Sequence, residues 1–226
     1  VGTLARQPAA CRVGAPRAAQ RLFFGDARAA SDFDGALARL ATLGHAIAEV
    51  DMAPFYETAR LLYQGPWLAE RYVAVRRIIE SEPAALHPVT RQIIAPGAAL
   101  LATDAFEAFY HLEALRKLAA EIFAHIDVLV CPTAPTVYTV GQVLADPIEL
   151  NSRLGTYTNF VNLLDLCGVA VPASLHADAT PFGITLLAPA GADALAASIA
   201  REFQANTRLR PGGLAEAAAK YEPVGG

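Results

Sequence analysis

The sequence predicts an α/β fold: a mixed β-sheet with helices packed on both faces. Three observations carry this. Strand, helix and strand patterns follow one another over residues 12–50, helical patterns fill most of residues 54–125, and an unbroken apolar run at 127–131 reads as a buried strand. With 226 residues, 54% of them hydrophobic and 18% charged, the chain has ample material for a sizeable core.

Taken in order, Arg12-Val13-Gly14-Ala15 runs up to Pro16 as a short strand. Ser31, Asp32 and Asp34 offer caps for a helix through Leu43, with Phe33, Leu37 and Leu40 on one face and Gly44 as its stop. The alternation Ala46-Ile47-Ala48-Glu49-Val50 suits a strand ended by Asp51. Helices are expected at 54–63, 66–81 and 88–99, then a long one from Thr103 to His125 with an apolar stripe through Phe106, Phe109, Tyr110, Leu112, Leu115 and Leu118. After the 127–131 strand, the stretch to Asn151 reads as a long connection rich in Pro, Thr and Tyr. A helix over 154–166, strands at 169–171 and 182–188, and a last helix from Asp193 to about Arg208 complete the expectation.

Composition narrows the function classes. A net charge of −4, with no basic run interleaved with aromatics, argues against a nucleic-acid partner. No apolar run reaches the ~18 residues that span a bilayer, so no membrane partner is expected. Cys11, Cys131 and Cys167 lack CxxC spacing, which suits inert thiols in a reducing, cytoplasmic setting. The chain opens on Val1 and its one methionine is Met52, so a preceding segment is expected.

The stretch with the most chemical promise is LLYQGPWLAER, residues 61–71. Gly65-Pro66 reads as a helix stop followed at once by a helix start, placing Tyr63 at the end of one helix and Arg71 in the second turn of the next. The helical neighbours of Arg71 are Trp67, Leu68, Ala74 and Val75, all apolar. A guanidinium in such surroundings requires a partner, and a planar carboxylate held bidentately fits it best. An internal Asp or Glu, stacking on Trp67, or an extended stem with its head in water would account for the same residues.

Other chemistry finds no foothold. The histidines at 45, 87, 111, 125 and 176 are scattered, and neither GxGxxG nor GxxxxGK[ST] occurs, so neither a metal nor a nucleotide cofactor is implied. No serine among 31, 81, 152, 174 and 198 sits in a GxSxG turn, and the lysines are confined to Lys117 and Lys220. No catalytic nucleophile with its base can be named.

Three motifs nevertheless resemble one family. DVLVCPTAPT (127–136), LNSRLGTYTNFVNLLDLC (150–167) and VAVP (169–172) followed by PFGI (181–184) look like the C-terminal half of the amidase signature family. The 61–71 stretch with HPVTR (87–91) is similar, within it, to the allophanate hydrolases. The resemblance implies an incomplete amidase signature fold, with residues 1–210 as the C-terminal portion of the domain and 211–226 as a tail or linker. It implies hydrolysis of allophanate, a carboxylated urea, to ammonium and carbon dioxide or bicarbonate, without a cofactor. It further implies a Ser-cis-Ser-Lys arrangement in a missing N-terminal half, a urea carboxylase as possible partner, and a chain inactive by itself. Tyr63 and Arg71 match the tyrosine and arginine that hold the substrate carboxylate in that family. An amidase of different specificity and a non-catalytic carboxylate-binding module are the competing readings.

Overall fold

In a computed structural model, residues 10–176, 178, 180–207 and 209 are described. The expectation for 211–226 as a tail or linker lies outside them. The chain forms two compact units, one from residues up to 50 with 123–136 and 166 onward, the other from 51–122 with 137–165.

The first unit holds a five-stranded mixed sheet: β1 (Arg12–Pro16), β2 (Ala46–Val50), β3 (Val128–Pro132), β4 (Leu166–Leu175) and β5 (Pro181–Pro189), in the order β2-β1-β3-β5-β4. β1 runs parallel to β2, with Arg12 opposite Ala46, and parallel to β3, with Val13 opposite Val128. β5 is antiparallel to both β3 and β4. The unbroken apolar run of β3 is explained by its central place, for all five of its residues are buried.

Helices α1 (Ala27–Thr42) and α8 (Asp193–Thr207) cover one face of the sheet. Phe33, Leu37 and Leu40 from α1 join Ile199, Ala200 and Phe203 from α8 over Val13, Val130, Ile184 and Leu186. The opposite face is buried as well at Leu129, Cys131 and Leu187. Gly14 sits on β1 where a Cβ would come 2.5 Å from Ile126 Cδ1 and 2.6 Å from Val50 Cγ2, so a larger residue would force those side chains to shift.

The second unit is helical: α2 (Ala53–Gln64), α3 (Trp67–Ser81), α4 (Pro88–Ile94), α5 (Ala102–Phe123), α6 (Val140–Ala145) and α7 (Glu149–Leu154). Its core joins Phe55 to Phe160, edge to face at 5.2 Å, with Leu112 and Leu115 of α5 also buried. Arg116 of α5 donates from Nε to the Leu163 carbonyl at 2.8 Å, tying down the turns that precede β4.

Several expectations need correction. α1 begins at Ala27, not after Ser31, because the Asp26 carboxylate accepts the amides of Arg28 and Ala29 as a true N-cap. Residues 88–99 split into α4 and a 3-10 turn over Ala95–Ala99, where Pro96 breaks the ladder. The connection to Asn151 is not irregular: Thr139 and Gln142 form a capping box that starts α6, and α7 follows. Residues 155–165 are not a helix but successive turns, closed by Asp165 at φ 52°. β4 therefore starts at Leu166, opposite Pro189, and is longer than expected.

Candidate carboxylate-binding site

Tyr63 lies in the last turn of α2 and Arg71 in the second turn of α3. Between them the Gly65 amide donates to the Leu61 carbonyl at 3.0 Å, and Pro66 opens α3. Gly65 is extended (φ −109°) instead of left-handed. A glycine is needed for a different reason than the one expected from helix-stop statistics, since a Cβ there would lie 2.5 Å from the Leu61 oxygen. The close approach folds α3 back so that Arg71 reaches Tyr63.

The guanidinium carbon of Arg71 sits 4.9 Å from the centroid of the Tyr63 ring. Of the alternatives left by the sequence, stacking is realised, on Tyr63 and not on Trp67, whose ring meets Phe109 edge-on at 5.7 Å. Among the described residues Arg71 forms no ion pair with an Asp or Glu. The nearby polar groups of α3 satisfy one another: the Tyr72 hydroxyl donates to Glu80 at 2.7 Å, and Arg76 lies over the Tyr72 ring. Arg71 is half-buried and Tyr63 is 43% exposed. The pair is therefore a cation oriented by an aromatic face, with its charge-assisted donors uncommitted to a protein acid.

Tyr63 also lines an open cavity of about 990 Å³ within the same unit. Val89 and Ile93 of α4 and Val143 and Leu144 of α6 give it apolar walls, and Asn151, Ser152, Thr158 and Asn159 give it neutral polar ones. Thr158 and Asn159 belong to the family-like 150–167 motif but were not among the expected site residues. Gly155 brings them close, since a Cβ there would strike the Asn159 side chain. By contrast Thr133 and Thr136 serve the first unit: the Thr133 and Thr185 hydroxyls are 2.9 Å apart, and the Thr136 hydroxyl donates to Asp26 at 2.9 Å.

Three of the histidines are engaged with carboxylates. His45 is buried, with Nε2 3.4 Å from Glu202, while His111 meets Glu57 at 2.9 Å and His176 meets Asp32 at 2.8 Å. Among the described residues, no three His, Cys, Asp or Glu side chains could together hold a metal ion. Burial alone pushes the Cys131 thiol up, far from any reactive thiolate. The Ser81 and Ser198 hydroxyls donate to Arg77 and Ala194 carbonyls within their own helices, and no serine hydrogen-bonds a lysine among the described residues.

Residues 3–196 match the Amidase family. The chain is 38% identical over 167 residues to the urea amidolyase of Saccharomyces cerevisiae, covering 73% of this chain and 9% of that protein. It is 28% identical over 196 residues to a glutamyl-tRNA(Gln) amidotransferase subunit of Mycobacterium ulcerans, covering 72% and 38%. The structure superposes on selenomethionine-substituted Kluyveromyces lactis allophanate hydrolase with a TM-score of 0.84 and 34% identity, over 88% of this chain and 33% of that one. The chain thus spans well under two thirds of each of these proteins.

Proposed function

This chain belongs to the amidase family, and on that premise we propose that it is the substrate-clamping portion of an amidohydrolase that cleaves allophanate to ammonium and carbon dioxide or bicarbonate. The observation that carries the reading is the Arg71 guanidinium, stacked on Tyr63 and paired with no acid among the described residues. A guanidinium can offer two parallel N–H donors to a carboxylate, and a tyrosine hydroxyl can add a further donor. The similarity to proteins named urea amidolyase and allophanate hydrolase supports a carboxylated urea as the ligand.

In this reading the clamp fixes the carboxylate end of the substrate and so presents the urea carbonyl to a nucleophile in one orientation. An uncharged urea would leave the cation without its partner and bind poorly. The Ser-cis-Ser-Lys segment is proposed to lie outside these residues, in the N-terminal half of the amidase domain. A urea carboxylase that supplies the substrate is the proposed partner. The similarity to a glutamyl-tRNA(Gln) amidotransferase favours a second reading, an amidase of other specificity.

Ammonia release from allophanate by the full-length protein and by these 226 residues alone tests the proposal. Activity in the full-length protein alone, with a KM raised about tenfold or more by Arg71→Ala, is the expected result, because a charged hydrogen bond is worth about 1.5–3 kcal/mol. An unchanged KM would overturn the clamp. Equal turnover of neutral amides would favour the second reading.

A further inference from the structure

We propose that the cavity beside Tyr63 receives an uncharged, partly apolar substituent of the substrate, so that the site accepts N-substituted carboxylated ureas and amides as well as the unsubstituted compound. This inference rests on the reading of Tyr63 and Arg71 as the carboxylate clamp. Tyr63 is the link, for its ring is in contact with Arg71 and also lines the cavity. Arg71 is not itself among the lining residues, so a substituent on a ligand anchored there enters the cavity by reaching past the Tyr63 ring, within the same unit.

Size and chemistry define what enters. A volume of about 990 Å³ stands at the upper end of the ~300–1,000 Å³ typical of pockets for drug-sized ligands. The walls combine Val89, Ile93, Val143 and Leu144 with the neutral hydrogen-bonding side chains of Asn151 and Asn159. The one lining acid, Glu149, is paired with Arg153 at 2.9 Å. His87 also lines the cavity, and its Nδ1 accepts the Val89 amide hydrogen. With no unpaired charge in the described lining, a second anionic or cationic group is unfavourable there, and an alkyl or amide substituent is favourable.

The net reaction is the same for parent and substituted substrates. The oxygen of water joins the carbonyl carbon, the C–N bond breaks with its electron pair passing to nitrogen, and the nitrogen leaves as RNH₂ with a proton from that water.

The test compares malonamate with N-butylmalonamate, chemically stable carboxylated amides, as substrates of the full-length protein. The expected result is a kcat/KM for the butyl compound at least equal to that for malonamate. Val143→Trp, which narrows the cavity at its apolar wall, should lower the butyl-to-parent ratio about tenfold, the effect of excluding roughly two methylenes. Arg71→Ala should lower both rates and leave the ratio unchanged. If malonamate is hydrolysed but the butyl compound is more than about tenfold slower, or if the ratio ignores Val143→Trp, this inference is overturned and the clamp survives. Hydrolysis of neither compound would overturn both.

Discussion

The Arg71 guanidinium carbon lies 4.9 Å from the centre of the Tyr63 ring, so the cation rests against an aromatic face and not against a protein acid among the described residues. Lysine cannot reproduce this, being a point charge without a flat fork. Arg71→Lys should therefore raise KM for a carboxylated substrate about tenfold, with a smaller change in kcat and an almost unchanged melting temperature. Tyr63→Phe keeps the ring and should retain more of the affinity than Tyr63→Leu, a ranking that initial-rate kinetics would check.

Gly14 is the most closely enclosed of the described glycines in the sheet, between Ile126 and Val50. Gly14→Ala should destabilise the protein by about 1–3 kcal/mol, the usual effect of forcing atoms into a packed core. Urea unfolding would read this as a lower midpoint with an unchanged slope.

Asp26 and Asp127 give stability a definite pH dependence. Burial works against ionisation of Asp26, but the Ala29 amide, the Thr136 hydroxyl and the Arg28 amide outweigh it and hold its carboxyl below the usual range. The Arg12 side chain and backbone amide do the same for Asp127, whose Oδ2 accepts the Arg12 amide at 2.6 Å. A carboxyl with a depressed folded pKa stabilises above its unfolded pKa, about 3.9, and loses that contribution as pH falls through the folded value. The urea midpoint should fall as pH drops from about 5 towards 3, and Asp127→Asn should flatten the decline.

Asp26→Ala should cost about 1–2 kcal/mol at neutral pH, since it removes the α1 cap and orphans the nearly buried Thr136 hydroxyl. Asp26→Asn keeps an acceptor and should cost less. Thermal melts of the two variants would separate cap from charge.

Cys131 should resist alkylation in the native protein and react only on unfolding, because it is fully buried and its thiol is held protonated by desolvation. Cys167, half-exposed near the start of β4, should be modified before it. Mass spectrometry after a timed iodoacetamide pulse would give the order.

The sheet and most helices were legible because their signals are local. Alternation in β2, the apolar run of β3 and the stripe through Phe33, Leu37 and Leu40 each announce their element within a few residues, and the last two map directly onto burial. The start of α1 was missed because Ser31 and Asp32 resemble caps, although Gly25-Asp26 before an alanine-rich run was the better signal. The capping box Thr139 to Gln142 was likewise present in the sequence and obscured by the surrounding Pro and Thr. Residues 155–165 misled for a physical reason. Thr156, Thr158 and Asn162 bond nearby backbone groups and compete with the helical ladder, while distant contacts, Phe160 on Phe55 and Arg116 on Leu163, fix the turns. Tyr63 and Arg71 are proposed as the clamp from the sequence resemblance, whereas the cavity has no local signal, since its walls come from α2, α4, α6 and α7 and meet only in space.

The strand order has a consequence for synthesis on the ribosome. β1 must wait for β3, whose first paired residue, Val128, comes more than a hundred positions after Val13, and β5 must follow before β4 gains its only described neighbour. Until residue 189 has emerged, Phe33, Leu37 and Leu40 lack the β5 side chains that complete their cover. The helices of residues 51–122 make some local contacts, α2 with α3 and α3 with α4, and can gain part of their structure in the interval, before Phe160 and Leu163 reach Phe55 and Arg116. The nascent first unit thus keeps apolar surface exposed until late in synthesis, and slow translation between β2 and β3 would prolong its vulnerability to aggregation.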